Sequence, residues 1–174
     1  MIRVVFSGPT DLESEVILRS VSSDLEADTA FSRELEIRAG PSVSERLKAM
    51  GELPVGAAVI TPGGDLSVDF MIHVVLQSPE ERVTPKGLRL ALQNGLRRAE
   101  EWGLKTLALP PLGTGAGNLD CEEAAAVMVP LISDHLQTSE NPREVLIVVG
   151  TGYERDVFAQ AVESIQGHIS AREN

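Results

Sequence analysis

The sequence predicts an α/β fold in which a largely parallel sheet carries helices on both faces. Short apolar runs alternate with longer segments whose apolar residues follow helical spacing, and the clearest runs are residues 57–61, 105–109 and 145–149. This alternation is typical of strands joined by helical crossovers. Glycine-containing turns follow these same three runs, at residues 62–64, 113–117 and 150–152. With 174 residues, the chain is predicted to form a single domain over residues 1–174.

The first half of the chain is predicted to hold two strands, two helices and two further strands. The strands are predicted at residues 2–6, 15–18, 57–61 and 69–76, and the helices at residues 31–39 and 43–50. Residues 20–28 are polar and are predicted to form a loop. Ser42 or Ser44 is expected to cap the second helix, and Gly51 is expected to end it.

The second half alternates more regularly. Thr84 and Pro85 are expected to open a helix that ends near Trp102, with the threonine as its cap. Asp120 is expected to cap a later helix. The remaining predicted elements are strands at residues 105–109 and 145–149, a closing helix at 154–165 and a frayed tail at 168–174.

The segment between residues 109 and 121 joins a predicted central strand to a predicted helix and has glycine at three alternate positions. Glycines let the backbone approach an anion closely, and the start of the following helix adds N–H groups and the positive end of its dipole. The pattern is neither a P-loop nor the G-x-G-x-x-G fingerprint, so a tight turn without a ligand remains an alternative. The expected ligand is a phosphate or diphosphate, bound by Gly113, Thr114, Gly115, Ala116, Gly117 and Asn118.

Composition and charge argue against several classes of function. The chain has 15 Lys and Arg against 26 Asp and Glu, a net charge of −11, which disfavours nucleic acid and anionic membranes as partners. No apolar run reaches the length of a transmembrane helix. The single Cys121 excludes an intrachain disulfide and a thiolate zinc cluster. We therefore expect a cytoplasmic protein without a metal or a cofactor.

Three segments resemble the macro domain family, whose members bind ADP-ribose. Residues 55–66, VGAAVITPGGDL, are similar to the family's central G-x-A-x-x-T-x-G-x-x-L segment. Residues 110–120 resemble its phosphate loop, and residues 6–25 align without gaps with its first two strands. The resemblance covers nearly the whole chain. It implies a three-layer α/β/α sandwich with a central mixed, largely parallel sheet, and ADP-ribose or a related nucleotide diphosphate as the ligand.

The chain departs from the family pattern where the distal ribose is bound. The family's Asn-Ala-Ala-Asn reads Arg19-Ser20-Val21-Ser22, which puts Ser22 at the position of the asparagine that touches that ribose. The family's first glycine loop corresponds to residues 27–33, which contain no glycine, and Ser32 replaces its usual acid. A serine hydroxyl is shorter than an amide and is no general base at neutral pH. ADP-ribosyl hydrolase activity is therefore expected to be weak or absent, with Asp28 as the candidate for a displaced general base.

The base-binding end departs from the pattern as well. Gly8, followed by Pro9, stands where the family has an aspartate that recognises the adenine amine. Tyr153 follows the last predicted strand, where the family places an aromatic residue beside adenine, and it is a candidate ligand contact; packing within the turn is the alternative. His73 alternates with apolar neighbours and is expected to lie in the core.

Two functions remain open. The first is a divergent macro domain that binds ADP-ribose or a similar nucleotide, free or attached to an ADP-ribosylated protein. If such a domain is active, the expected reaction is ADP-ribosyl hydrolysis. The second is a degenerate macro domain that serves as a structural or protein-interaction module without a nucleotide.

Overall fold

The computed structural model describes residues 1–9 and 11–172, with the backbone alone for residues 169–172. Within this part of the chain lie six strands and five helices. The strands are β1 (Ile2–Phe6), β2 (Val16–Ser22), β3 (Ala58–Pro62), β4 (Phe70–Gln77), β5 (Thr106–Leu109) and β6 (Glu144–Val149). The helices are α1 (Ala30–Ala39), α2 (Pro41–Met50), α3 (Pro85–Glu101), α4 (Cys121–Thr138) and α5 (Gly152–Arg172).

The six strands form one mixed sheet in the order β1-β6-β5-β2-β4-β3. Every neighbouring pair is parallel except β3 and β4, which are antiparallel. A short connection joins these two strands, and it can only return the chain antiparallel, whereas parallel neighbours need a crossover. The strand predicted at residues 105–109 lies inside the sheet as β5. The prediction of a central mixed, largely parallel sheet is therefore confirmed.

Helices cover both faces of this sheet. Successive side chains of β2 point to opposite faces, as strand geometry requires. Val16 and Leu18 belong to the core shared with α3, α4 and α5, and Ile17 and Val21 belong to the core shared with α1 and α2. The predicted three-layer α/β/α sandwich is confirmed by these two cores.

The predicted N-caps of α3 and α4 are confirmed, and the predicted N-cap of α2 is wrong. The Thr84 side chain accepts from the Gly87 N–H (3.0 Å), and Asp120 forms a complete capping box with Glu123. The prediction that Ser42 or Ser44 caps α2 is wrong. Gly40 is the N-cap there, without a side-chain hydrogen bond, because Pro41 already occupies the first turn and has no N–H to be capped.

Two predicted boundaries also change. The prediction that residues 20–28 form a loop is wrong at its start, because β2 continues to Ser22 and its polar residues pair in register with β4 (Arg19 with His73, Ser20 with Val74). Helix α5 extends to Arg172, through most of the segment expected to fray. Residues 173–174 lie outside the described residues.

Candidate functional site

The loops that follow the parallel strands all leave the sheet at one edge, since the carboxyl ends of parallel strands lie together. The order of the strands decides which loops are neighbours. The glycine segment, residues 113–118, follows β5 and therefore lies between the loop after β6 and the loop after β2. Of the candidates from the sequence, the glycine segment, Ser22, Asp28 and Tyr153 all lie at this edge of the sheet or in the loops beyond it.

The glycine segment forms a turn that needs its glycines. Gly113, Gly115 and Gly117 have φ of 73°, 125° and 79°, values that L residues rarely adopt. Two hydrogen bonds close the turn, from the Asn118 N–H to Gly115 O (3.1 Å) and from the Leu119 N–H to Gly113 O (3.0 Å). A Cβ at Gly113 would lie 2.9 Å from Val83 Cγ1, whereas one at Gly117 would meet nothing within 4 Å. The segment is thus packed on one side and open on the other.

The open side of the segment carries backbone donors. Within residues 1–9 and 11–172, nothing accepts from the N–H groups of Ala116 and Gly117. The Asn118 N–H is used inside the turn, so of this residue only the side chain remains for a ligand. Acidic residues follow at once, because Asp120 caps α4 and Glu122 and Glu123 lie in its first turn.

Tyr153 lies beside the start of α4. It is 59% exposed, and its hydroxyl donates to Glu122 Oε1. This hydrogen bond to the carboxylate raises the pKa of Tyr153 to about 12. In the same turn the Gly150 N–H donates to Glu154 Oε2 (2.8 Å). Carboxylates of the chain itself therefore occupy donors in and beside the turn of residues 150–152, which neighbours the glycine segment.

Asp28 is held at the end of β2 and β4. Its Oδ1 accepts from Ser20 Oγ (2.7 Å) and its Oδ2 from Gln77 Nε2 (3.4 Å). Burial raises the pKa of the Asp28 carboxyl above its ordinary value, against the lowering effect of these hydrogen bonds. Ser22 is half-buried at the end of β2, and its N–H donates to Glu26 O (3.0 Å). Burial thus gives Asp28 the raised pKa that suits a general base, but its two carboxylate oxygens already accept hydrogen bonds.

Arg19 is the centre of a buried network that the sequence patterns did not reveal. Its Nε donates to His73 Nδ1 (2.8 Å), and its Nη1 donates to Glu36 Oε2 (2.8 Å). The Ser32 hydroxyl, also within reach of Nη1, donates to Ser20 O (2.6 Å). The only signal in the sequence is an arginine among the apolar residues of β2, together with a glutamate in α1, the next helix. Ser32 is fully buried in this network, so it does not face a ligand.

The expectation that His73 lies in the core is confirmed, since its side chain is fully buried. Because Nδ1 accepts from Arg19, the proton of the neutral ring lies on Nε2, which donates to Thr61 Oγ1 (2.9 Å). Thr61 in turn donates to Pro62 O (3.0 Å). Burial, aided by the Arg19 charge, holds the pKa of His73 well below its ordinary value. His73 is therefore a neutral structural residue.

A crevice of about 590 Å³ opens where β1 and β6 end. Phe6, Phe31, Val148 and Val149 give it apolar walls, and the turn after β1 forms its rim. Phe31 reaches it from the start of α1, the helix that follows the loop containing Asp28.

Comparison with known proteins now decides the family. A model of the macro domain matches residues 20–128, more than half of the chain. The chain belongs to the macro domain family.

This macro domain is 28% identical over 170 residues to a macro domain-containing protein of Caldanaerobacter subterraneus subsp. tengcongensis, with 94% of this chain and 97% of that protein covered. It is 32% identical over 153 residues to a protein of Enterobacter sp. named O-acetyl-ADP-ribose deacetylase, with 84% and 85% covered. The Oceanobacillus iheyensis macrodomain with ADP superposes with a TM-score of 0.86 at 21% identity, covering 95% of this chain and 91% of that one. At that identity the structural likeness shows the fold.

Metal-binding groups and the thiol of Cys121 are the remaining candidates among the described residues of this macro domain. Over residues 1–9 and 11–172, no group of three or more His, Cys, Asp or Glu could hold a metal ion, and no helix is long and apolar enough to span a membrane. Cys121 is buried at the start of α4, and burial together with Glu154, Glu122 and Asp120 raises its thiol pKa to about 11. Desolvation and these carboxylates outweigh the lowering expected from the helix N-terminus.

Proposed function

We propose that this macro domain binds ADP-ribose or a related nucleotide diphosphate, with the diphosphate on the segment of residues 113–118, through its free backbone N–H groups and the side chain of Asn118. The observation that carries the proposal is the turn itself, in which three alternate glycines adopt positive φ and leave the N–H groups of Ala116 and Gly117 without an acceptor in the described part of the chain. A turn of this kind presents donors without side chains in the way. A relative named O-acetyl-ADP-ribose deacetylase and a related structure with ADP support the choice of ligand.

The electrostatics around the segment favour hydrogen bonding over net charge as the source of affinity. Residues 106–142 contain no lysine or arginine, and the carboxylates of Asp120, Glu122 and Glu123 lie at the start of α4. Two of these carboxylates accept from backbone N–H groups within the capping box, which disperses part of their charge. The helix dipole contributes about 0.3–1 kcal/mol toward a nearby anion. We therefore expect binding that depends only weakly on salt.

The same proposal assigns weak or no ADP-ribosyl hydrolase activity to this domain. The Ser32 hydroxyl is buried and bound to Ser20 O, so it cannot replace an acid that faces a substrate. Asp28 is the acid with raised pKa in the loop after β2, but its two oxygens already accept from Ser20 and Gln77. A general base that must first release its partners works slowly.

The alternative, an interaction module without a nucleotide, has one observation in its favour. Glu154 accepts from the Gly150 N–H, and Glu122 accepts from Tyr153, so carboxylates of the chain itself occupy donors beside the glycine segment. A site closed by its own side chains needs no ligand to be satisfied.

Thermal unfolding in the presence of ADP-ribose and ADP tests the proposal. A ligand at about 100 times its Kd stabilises the native state by about 2.7 kcal/mol, and wild type should show this shift. Gly117→Glu should lose it, because a charged side chain then enters the open side of the turn. Gly103→Glu is the matched control, since both glycines have positive φ (79° and 64°) with nothing within 4 Å of an added Cβ, and Gly103 precedes β5, at the opposite edge of the sheet.

Each outcome decides between the readings. If wild type shifts with neither nucleotide, the domain does not bind them and the interaction module is favoured. If Gly117→Glu shifts as Gly103→Glu does, the ligand binds elsewhere. Release of ADP-ribose from a modified protein at a substantial rate would contradict the weak activity, and Asp28→Ala would then show whether this carboxylate is the base.

A further inference from the structure

The two edges of the sheet differ in how open they are to a further strand. β1 and β3 are the edge strands, since each pairs with one neighbour in the described part of the chain. At β3 the outward backbone groups are partly blocked. Ala58 O accepts from Arg98 Nε (3.2 Å), and Pro62, which faces the same way further along the strand, has no N–H. Natural proteins protect edge strands in this way against pairing with other chains.

The edge at β1 has no such protection. The Val145 N–H of β6 donates to Met1 O (2.9 Å), and backbone groups alternate in direction along a strand. The residues of β1 that face away from β6 are therefore Ile2, Val4 and Phe6. Their N–H and C=O groups have no hydrogen-bond partner within the described residues, and no proline interrupts the strand.

The charge at this edge suits a second copy of the chain. The chain has a net charge of −11, but the one charged residue of β1, Arg3, is paired with Glu144 of the same copy (3.1 Å). A strongly charged partner strand finds no free counter-charge here, whereas two copies of β1 meet without like charges directly opposite. The strand is otherwise apolar, and Phe6 is left 65% exposed at its end.

We propose that this macro domain forms a dimer in which β1 pairs antiparallel with β1 of a second copy. One register alone sets every outward residue opposite another outward residue. It places Val4 opposite Val4 of the partner subunit, and Ile2 opposite Phe6 of the partner subunit. Each outward N–H then meets a C=O, so the sheets of the two copies become continuous. The exposed Phe6 ring gains a β-branched neighbour, which is a favourable cross-strand pair.

The dimer also bears on the crevice at the ends of β1 and β6. Phe6 is one of the walls of this crevice, so Ile2 of the partner subunit adds to that wall. The half-buried side chains of Ile2 and Val4, which pack against the core shared with α5, lose further exposure at the same time. Dimer formation needs no nucleotide, so the inference is independent of the proposed function.

Sedimentation equilibrium over a series of protein concentrations tests the proposal, and wild type should show a monomer–dimer equilibrium. Val4→Pro removes an outward N–H and no hydrogen bond inside the sheet, and proline is tolerated at an edge position of this kind. Loss of the central hydrogen bonds should raise the dimer dissociation constant about tenfold or more. Ile60→Pro is the matched control, since residue 60 faces outward from β3 as residues 58 and 62 do, and it should leave the constant unchanged.

Cross-linking gives a second test that does not depend on whether the proline variants fold. Directly opposed residues of a hydrogen-bonded antiparallel pair have Cα atoms about 5.5 Å apart, within the range of a disulfide. With oxidised glutathione as the oxidant, Val4→Cys should therefore form a disulfide-linked dimer, and Ile60→Cys should not. Cys121 is present in both variants and is buried, with a thiol pKa raised to about 11.

A wild type that stays monomeric at every concentration overturns the proposal. A dimer that Val4→Pro leaves as stable as Ile60→Pro does also overturns it, as does a dimer that Val4→Cys fails to cross-link, because the copies then meet at another surface. None of these outcomes alters the nucleotide-induced shift in thermal unfolding, which tests the proposed function separately.

Discussion

Loss of Glu36 should destabilise this domain strongly, because Glu36 is the ion-pair partner of a fully buried arginine. The Arg19 side chain is 0% exposed and that of Glu36 29%, with 2.8 Å between Nη1 and Oε2. The same oxygen accepts from the Ala27 N–H (3.1 Å). Removing one partner of a buried pair costs about 3–5 kcal/mol. For a chain of this size each kcal/mol lowers Tm by about 2–4 °C, so Glu36→Ala should lower it by about 6–20 °C.

Three further variants isolate the cause. Glu36→Gln keeps an oxygen for Arg19 and Ala27 but removes the charge, so its effect should be intermediate. Arg19→Met removes the buried charge and leaves His73 Nδ1 without its donor, which costs about 1–3 kcal/mol. In the Arg19→Met background, Glu36→Ala should then cost much less than it does alone, because no buried cation remains. The assay is urea unfolding, with wild type, Glu36→Ala, Arg19→Met and the double variant forming a double-mutant cycle and Glu36→Gln measured beside it. A cost below about 1 kcal/mol for Glu36→Ala, or the same cost in both backgrounds, would show that Glu36 does not stabilise the domain by pairing with the buried Arg19.

The remaining predictions concern single residues. The pKa of buried His73 is depressed in the native state, so its contribution to stability is full above the ordinary value of 6.5 and declines as pH falls below it. The free energy of unfolding of wild type, relative to that of His73→Gln, should therefore fall by up to about 1.4 kcal/mol per pH unit in urea titrations between pH 6.5 and pH 5; parallel curves would contradict this. The thiol pKa of Cys121 is raised from 9.0 to about 11, which lowers its thiolate fraction at pH 8; because a more basic thiolate is also more nucleophilic, a thiol reagent should modify the native protein about tenfold more slowly than the unfolded chain, and equal rates would show the thiol to be accessible and ordinary. Gly113→Ala should destabilise more than Gly117→Ala in thermal unfolding, since only at Gly113 does an added Cβ lie 2.9 Å from Val83 Cγ1; equal losses would mean that strain in φ alone decides.

The glycine segment shows how much of a candidate site a sequence can predict. Alternate glycines after an apolar run predicted a tight turn at the end of a central strand, and the structure has all three glycines at positive φ after β5. The caps at Thr84 and Asp120 were equally predictable, because each side chain bonds a backbone N–H three residues away. Such signals are local, so the residues that cause the structure are the residues that adopt it.

Arg19 shows where prediction from sequence stops. Its partners His73 and Glu36 are 54 and 17 residues away, and no local pattern links them. The polarity of Ser20 and Ser22, which follow Arg19 in β2, instead suggested a loop over residues 20–28. The error arose because polar residues indicate exposure only when no partner is buried with them.

Local patterns along the chain were enough to predict the alternation of strands and helices, the two sides of the sheet and the glycine turn, because periodicity and backbone preferences act within a few residues. Which loops are neighbours depends instead on tertiary packing, since the order β1-β6-β5-β2-β4-β3 follows from contacts between distant segments. It also decided that Ser32 turns inward to Arg19 and that Asp28 binds Ser20 and Gln77. Each of these contacts joins residues that the fold brings together, and the local sequence pattern carries no information on which residues will meet.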